Sequence, residues 1–201
     1  LKAPAADLYL ANAGTASRFL TTVCTLLPLG AAATVTGNAR AKERPIGPLV
    51  DALRVHGCEL AEVGEAGRLP LRVAGTGGLA GGEFNISGKV SSQYVSSVLL
   101  SAPYARKPLV LKLKEAKPTS LTYILMTVKL MQRFGVDVDV IADDHYVVGS
   151  GPYKPPASGI FDVEPDASSA TYALAMAAVT VSFLLFTVTV HANAHNLTRS
   201  P

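Results

Sequence analysis

The segment ANAGTASRFL, residues 11–20, follows an apolar triplet at 8–10 and leads into an apolar run with helical spacing. Its small and hydroxyl-bearing residues predict a helix that begins near Thr15. A helix start carries partial positive charge and binds anions through backbone N–H groups that have no partner inside the helix. Arg18 adds a second positive charge within two turns, which is favourable only if an anion occupies the site.

The same kind of helix start recurs at a fixed interval along the chain. Hydroxyl residues also open helical runs at Ser92 and Ser169, so that successive starts lie 77 positions apart. Asp166 precedes the third start as a predicted N-cap. Self-similarity at a fixed period predicts one structural unit that is used repeatedly.

The segments between these starts complete the predicted unit. Apolar stripes predict a second helix at 47–56 and at 120–134, each followed by a glycine, Gly57 or Gly135. Alternating apolar residues predict strands at 34–36, 58–63, 69–73, 83–86, 109–113, 136–141 and 145–148. The resulting order predicts a mixed α/β fold of repeated βαβαββ units.

A basic cluster at residues 40–47 lies between a predicted strand and a predicted helix, where we expect a loop. Arg44 directly precedes Pro45, which favours an extended backbone at the helix entrance. A guanidinium there can bind a carboxylate or a phosphate through two parallel hydrogen bonds. Gly14 leaves the first helix start open to close approach, so Gly14, Arg18 and Arg44 are candidates for binding a dianion.

Composition limits the class of protein. Of 201 residues, 49% are hydrophobic and 16% are charged, which predicts a folded chain with a sizeable core, and a net charge of +3 is too small to indicate nucleic-acid binding. Cys24 and Cys58 lie in or next to apolar runs and are expected to be buried free thiols, as in a reducing compartment. His56 is expected to be a cation at a helix end. The four histidines show no metal-ligand spacing.

The uncharged segment at residues 170–190 has the length of a membrane span. Its six hydroxyl side chains oppose that interpretation, because each costs free energy in lipid when it has no hydrogen-bond partner. We therefore expect that this segment does not cross a membrane.

Four motifs occur in a fixed order: NAGTASR at 12–18, KERPIG at 42–47, VSSQY at 90–94 and DASSA at 166–170. Together they resemble the EPSP synthase family, the 3-phosphoshikimate 1-carboxyvinyltransferases. Phe19 and YVSS at 94–97 are most similar to the EPSP synthase domain of the fungal pentafunctional arom protein. The resemblance implies an inside-out α/β barrel of two lobes, each made of three βαβαββ units.

The resemblance also implies that this is a partial chain. Residues 1–165 would form two repeats of one lobe, and 166–180 would begin the second lobe. Residues 181–201 depart from the family and would be a translated intron. A cytoplasmic enzyme is implied, with the other arom domains as partners if it belongs to the multifunctional polypeptide.

The implied reaction transfers the carboxyvinyl group of phosphoenolpyruvate to the 5-hydroxyl of shikimate 3-phosphate and releases phosphate. It belongs to the shikimate pathway of chorismate and aromatic amino acid biosynthesis and needs no cofactor. Glyphosate would bind at the phosphoenolpyruvate subsite. Because the family's acid/base residues lie outside this chain, we expect no turnover by the 201 residues alone.

The family pattern implies roles for individual residues. The phosphoenolpyruvate side would comprise Gly14, Arg18, Arg44 and Gln93. The shikimate 3-phosphate side would comprise Ser91, Ser92, Gln93, Ser120 and Tyr123, although Leu121-Thr122 replaces the usual Lys-Pro between the last two. Asn12, Thr15 and Asp166 belong to the same motifs, and no metal ligand is implied.

Two alternatives remain open. UDP-N-acetylglucosamine enolpyruvyl transferase shares the fold and the donor substrate, but the KERPIG and SSQY motifs argue against it. An inactive anion-binding fragment would use the same helix starts and arginines without catalysing a reaction.

Overall fold

The computed structural model describes residues 1–163, together with 166, 169, 171–172 and 175–176. The chain divides into two compact units, Leu1–Ala157 and Ser158–Pro201. In the second unit, the described residues 169, 171–172 and 175–176 are helical, and Asp166 Oδ2 accepts a hydrogen bond from Ser169 Oγ at 2.7 Å. The elements that follow all belong to the first unit.

The first repeat has four strands and three helices. They are β1 (Leu8–Tyr9), α1 (Gly14–Cys24), β2 (Ala32–Thr36), α2 (Ala39–Glu43), α3 (Gly47–Val55), β3 (Leu60–Glu62) and β4 (Leu71–Ala74). Its sheet has the order β1-β2-β4-β3, in which β1 and β2 are parallel and the other pairs are antiparallel. A parallel pair needs a crossover, and α1 supplies it.

The second repeat has the same topology. It contains β5 (Gly82–Ile86), α4 (Ser92–Ser101), a 3-10 turn (Ala102–Tyr104), β6 (Leu109–Leu113), α5 (Leu121–Arg133), β7 (Val138–Ala142) and β8 (His145–Val148). The sheet order is β5-β6-β8-β7, again with only its first pair parallel. The predicted α/β class and the repeated βαβαββ order are confirmed.

Local sequence explains where these elements begin and end. In β6, Leu109, Leu111 and Leu113 are buried and alternate with half-buried residues, as expected for a strand with one face on the core. Helices α3 and α5 each end two residues before a glycine with positive φ, 82° at Gly57 and 75° at Gly135. Glycine adopts this left-handed conformation without the steric cost of a side chain, so both helices stop within one residue of the predicted positions.

One hydrophobic core extends through both repeats. Helix α4 packs between α1 and α5, and this interface contains buried hydroxyl groups. Thr22 Oγ1 and Ser97 Oγ share a hydrogen bond, and Ser97 Oγ donates to the backbone carbonyl of Arg18 at 2.9 Å. Buried hydroxyls need such partners. These bonds fix α1 against α4, and therefore place the N-termini of the two helices side by side.

Part of the expected loop at residues 40–47 is helical. Helix α2 covers Ala39–Glu43, and Asn38 Oδ1 caps it by accepting a hydrogen bond from Ala41 N–H at 2.9 Å. Only Ala41 of this helix is buried, so the segment has almost none of the apolar periodicity that predicts a helix. The N-cap asparagine was its one sequence signal.

The expectation that His56 is a cation is wrong. His56 Nε2 accepts a hydrogen bond from Asn85 N–H at 3.2 Å, so that nitrogen carries no proton. The ring stacks on Phe84 with centroids 3.9 Å apart, and burial lowers the pKa of His56. The neutral imidazole joins the end of α3 to the edge of β5.

Both cysteines are buried free thiols, as predicted. Burial raises the pKa of Cys24 and of Cys58 to about 11, so each remains a protonated thiol at neutral pH.

Among the described residues, no helix is both long and apolar enough to span a membrane. Most of the apolar segment at 170–190, and all of 181–201, lie outside the described residues.

Candidate functional site

The start of α1 presents free backbone donors. Gly14 is the first helical residue, and the N-cap, Ala13, makes no side-chain hydrogen bond to the helix. The first-turn amides of a helix have no partner within it. They therefore provide donors for a bound anion beside Thr15 and Arg18.

Arg44 lies directly against Gly14. Its backbone is extended, with φ −77° and ψ 133°, as Pro45 predicts. Its Nη1 donates to the backbone carbonyl of Asn12 at 3.3 Å, and a methyl group on Gly14 would lie 2.6 Å from Arg44 Cζ. The absence of a side chain at Gly14 therefore makes room for the guanidinium.

Arg18 connects α1 to the start of α4. Its Nη1 donates to Gln93 Oε1 at 2.5 Å and to Ser91 Oγ at 3.3 Å. Gln93 Nε2 in turn donates to Thr15 Oγ1 at 2.8 Å. Residues separated by more than 70 positions thus form one network, which places predicted phosphoenolpyruvate-side residues next to predicted shikimate 3-phosphate-side residues.

Tyr94 links the same network to the basic segment at residues 40–47, a role that sequence patterns alone do not predict. Its hydroxyl donates to the backbone carbonyl of Pro45 at 2.6 Å, and Arg18 Cζ lies 5.2 Å from the ring centroid. Burial raises the pKa of Tyr94, although the guanidiniums of Arg18 and Arg44 act in the opposite direction. The protonated phenol therefore holds the chain next to Arg44 against α4. The available signal was an aromatic residue directly after Gln93 on a helix start.

The positive charges of Arg18 and Arg44 are not neutralised by acidic side chains within the described part of the chain. Arg54 pairs with Glu62 and Lys112 with Glu83, whereas the hydrogen-bond acceptors of Arg18 and Arg44 are neutral oxygens. Two guanidiniums therefore lie beside a helix start that is itself partly positive. This arrangement favours a ligand with more than one negative charge.

The start of α4 offers hydroxyl donors. Ser91 is the N-cap, and its Oγ accepts hydrogen bonds from Gln93 N–H at 3.2 Å and from Arg18. Both contacts use the oxygen as an acceptor, so the Ser91 O–H remains available to donate. Ser92, the first helical residue, is buried.

The start of α5 is joined to the start of α4 by their preceding loops. Ser120, the N-cap of α5, has a left-handed backbone with φ 54° and ψ 62°, and its carbonyl accepts from Tyr123 N–H at 3.0 Å. Next to it, Thr119 Oγ1 donates to the carbonyl of Lys89 at 2.7 Å. Asp166 belongs to the second compact unit.

The cluster of side chains at the starts of α1 and α4, formed by Arg18, Arg44, Ser91 and Gln93, is suited to anion binding rather than to proton transfer. Its side chains are guanidiniums, hydroxyls and an amide, which provide hydrogen-bond donors for an anion and include no carboxylate or imidazole. No group of three or more His, Cys, Asp or Glu side chains within the described ranges could hold a metal ion.

The fold is similar to that of solved EPSP synthase structures. Two structures of EPSP synthase from Acinetobacter baumannii each match with a TM-score of 0.64 and 28% sequence identity, over 76% of this chain and 32% of theirs. The enolpyruvyl transferase NikO from Streptomyces tendae matches with a TM-score of 0.48 and 19% identity, over 74% of this chain and 32% of that chain. The chain thus spans 32% of the length of the solved synthases.

A family model gives the broadest match. The model for EPSP synthase (3-phosphoshikimate 1-carboxyvinyltransferase) matches residues 1–199. The match includes the residues for which we predict a second lobe and a tail, and that division of the chain stays a prediction. Since the family match covers nearly every residue and the solved synthases agree with the fold, this chain belongs to the EPSP synthase family.

Proposed function

We propose that this chain is the part of an EPSP synthase that holds phosphoenolpyruvate next to shikimate 3-phosphate. In the proposed reaction, the 5-hydroxyl of shikimate 3-phosphate takes up the carboxyvinyl group, and inorganic phosphate leaves. The observation that carries the proposal is the network of Arg18, Gln93 and Ser91, which joins two helix starts and leaves positive charge unneutralised.

Phosphoenolpyruvate fits the start of α1 because it carries both a carboxylate and a phosphate. Arg18 and Arg44 would each bind one anionic group, and the free amides that begin at Gly14 would bind phosphate oxygens. Glyphosate, which also combines a carboxylate with a phosphorus oxyanion, would compete there. The chain's own contribution is to bind the donor substrate in one orientation.

Shikimate 3-phosphate fits the starts of α4 and α5. The Ser91 O–H is free to donate, and Ser92 and Ser120, which begin the helices after the two connected loops, would add hydroxyls. Gln93 lies between the two subsites, with its amide group already held by Arg18 and Thr15. Holding both reactants in one geometry removes much of the entropic cost of a reaction between two molecules.

We also propose that the chain is part of the arom polypeptide. Phe19 and the stretch at 94–97 support an origin in the arom polypeptide, whose other domains would then be covalent partners in the cytoplasm. Tyr94 is fully buried and donates a hydrogen bond to the carbonyl of Pro45. The YVSS stretch that suggests this origin therefore also has a structural role at the site.

The proposal is tested by titrating the 201-residue chain, labelled with ¹⁵N, with shikimate 3-phosphate, phosphoenolpyruvate and UDP-N-acetylglucosamine in separate experiments. We expect shikimate 3-phosphate to shift the amides of Ser91, Ser92 and Ser120, and phosphoenolpyruvate to shift those of Gly14 and Thr15. UDP-N-acetylglucosamine should shift neither set. Shifts caused by the sugar nucleotide, with none caused by shikimate 3-phosphate, would refute the proposed acceptor.

The same preparation should release no phosphate from phosphoenolpyruvate and shikimate 3-phosphate together. The chain spans only 32% of the solved synthases it matches, and the resemblance places the acid/base residues outside it. Phosphate release above the rate of an Arg44→Ala control would contradict this expectation.

A further inference from the structure

Two adjacent loops deliver the candidate phosphate-binding serines. The α4 loop, residues 87–91, leads into α4, and the α5 loop, residues 114–120, leads into α5. Thr119 N–H donates to the carbonyl of Gly88 at 3.1 Å, and Thr119 Oγ1 donates to the carbonyl of Lys89 at 2.7 Å. The separation of the two helix starts therefore depends on how these loops are held together.

The half-buried side chain of Glu115 binds the α4 loop with both carboxylate oxygens. Oε1 accepts from Ser87 Oγ at 2.6 Å, and Oε2 accepts from Gly88 N–H at 3.0 Å. Ser87 Oγ also accepts from Lys89 N–H at 3.3 Å, which extends the contact along the loop. Hydrogen bonds to a charged acceptor are about twice as strong as bonds between neutral groups, so Glu115 is the strongest link between the loops that these contacts contain.

A steric contact limits how closely the loops approach. A methyl group on Gly88 would lie 2.9 Å from Cβ of Pro118 in the α5 loop, so a side chain there would push the loops apart. Glu115 draws the loops together, and the contact between Gly88 and Pro118 sets the smallest distance between them. The hydrogen bonds to Glu115 thus limit how far apart the loops can move, and the contact between Gly88 and Pro118 limits how closely they can approach.

We propose that Glu115 is a positioning residue for shikimate 3-phosphate. Through Ser87 and Gly88 it holds the α4 loop against the α5 loop, and so it sets the spacing between the serines at the start of α4 and Ser120. It contacts no substrate itself. The inference rests on the proposed function, since the spacing matters only if both helix starts bind one phosphorylated ligand.

Electrostatics alone gives the opposite expectation for Glu115. A carboxylate near a phosphate dianion repels it, so removal of the charge would strengthen binding. If Glu115 positions the α4 loop, Glu115→Gln should instead weaken binding. The amide keeps one acceptor oxygen but cannot accept from Gly88 N–H with its NH₂ group. The direction of the change therefore distinguishes the two roles, and loss of fold stability alone would leave the affinity of the folded chain unchanged.

The experiment is calorimetric titration of the 201-residue chain with shikimate 3-phosphate, well below the unfolding temperature. We expect Glu115→Ala to weaken binding about tenfold and Glu115→Gln to weaken it by a smaller factor. The matched control is Glu83→Gln, which removes the same charge from an exposed carboxylate paired with Lys112 on the sheet. It should leave the dissociation constant within about twofold.

Amide hydrogen exchange at Gly88 and Thr119 is measured on the same samples, and we expect faster exchange in both Glu115 variants. Affinity equal to or higher than that of the unaltered chain in both variants would overturn the inference, as would equal weakening by Glu83→Gln. If the unaltered chain does not bind shikimate 3-phosphate, the proposed function is wrong, whatever the Glu115 variants show. In that case, faster exchange in the Glu115 variants still supports the loop contact, and unchanged exchange overturns it.

Discussion

At the scale of single residues, Arg44 explains why position 14 has no side chain. Arg44 occupies the space that a methyl group on Gly14 would need, and its guanidinium is held there by the carbonyl of Asn12. The glycine therefore has two proposed roles: it admits the anion, and it lets a cation approach that anion.

Gly14→Ala should weaken phosphoenolpyruvate binding about tenfold by displacing the Arg44 guanidinium, since a hydrogen bond to a charged group contributes roughly 1.5–3 kcal/mol. Glyphosate affinity should fall in parallel, as measured by calorimetry or amide shifts. The free energy of unfolding should change little, because the displaced atoms are the end of a flexible side chain. Gly64→Ala is the control, because its methyl group would contact only Pro70 Cδ at 3.8 Å. Unchanged affinity for both ligands in Gly14→Ala would return this glycine to a purely structural role.

His56 should make the stability of the fold depend on pH. Burial lowers its pKa in the folded state, so the unfolded state binds more protons as pH falls through about 6.5. The stabilisation is therefore present above the unfolded pKa and is lost as pH falls through the folded pKa. Glutamine can still accept from Asn85 N–H but does not titrate. Urea unfolding between about pH 7 and pH 5 should show a smaller loss of stability in His56→Gln than in the unaltered chain. Identical losses would show that His56 is not responsible.

At the scale of helices and strands, the sequence predicts most elements and few of the contacts between them. Strands β6 and β8 have the predicted bounds, and α3 and α5 differ from prediction by a residue at their ends, because apolar periodicity and terminal glycines are local signals. Helix α2 was missed because it buries a single residue. The bonds of Arg18 to α4 span more than 70 positions and depend on how two helices pack, which local patterns do not encode.

The buried hydroxyl pair between α1 and α4 offers a test of that packing. Removing either hydroxyl, by Thr22→Val or Ser97→Ala, should lower the free energy of unfolding by about 1–2 kcal/mol, because the buried hydrogen bond between them is lost. The double variant should lose less than the sum of the single losses. Thr127 pairs with Ser96 instead, so Thr22→Val with Thr127→Val should be additive. Denaturant unfolding measures the free energy of unfolding of the single and double variants. Full additivity of Thr22→Val with Ser97→Ala would show that the pair does not couple the helices.

At the scale of the whole first unit, the two repeats have separate sheets but share one core. The hydrophobic cluster includes Leu49 and Leu71 from the first repeat together with Val98 and Leu111 from the second. Each repeat is close to the size at which a domain buries only about 60% of its unfolded surface and is marginally stable. The shared core therefore contributes stability that neither repeat has alone, and it keeps the helix starts of the candidate site in place.

Residues 1–157 should consequently unfold in one transition, because separating the repeats would expose the surfaces of α1 and α4 and break the hydrogen bond from Tyr94 to Pro45. Scanning calorimetry should give a calorimetric enthalpy about equal to the van't Hoff enthalpy.

Polypeptides of residues 1–78 and 79–157 should each lack a cooperative transition, and an equimolar mixture should regain one if the two halves recognise each other. Two resolved transitions in the intact unit, or cooperative unfolding of 1–78 alone, would mean that each repeat is an independent domain. The geometry between the starts of α1 and α4 would then have to be set by bound substrate rather than by the fold.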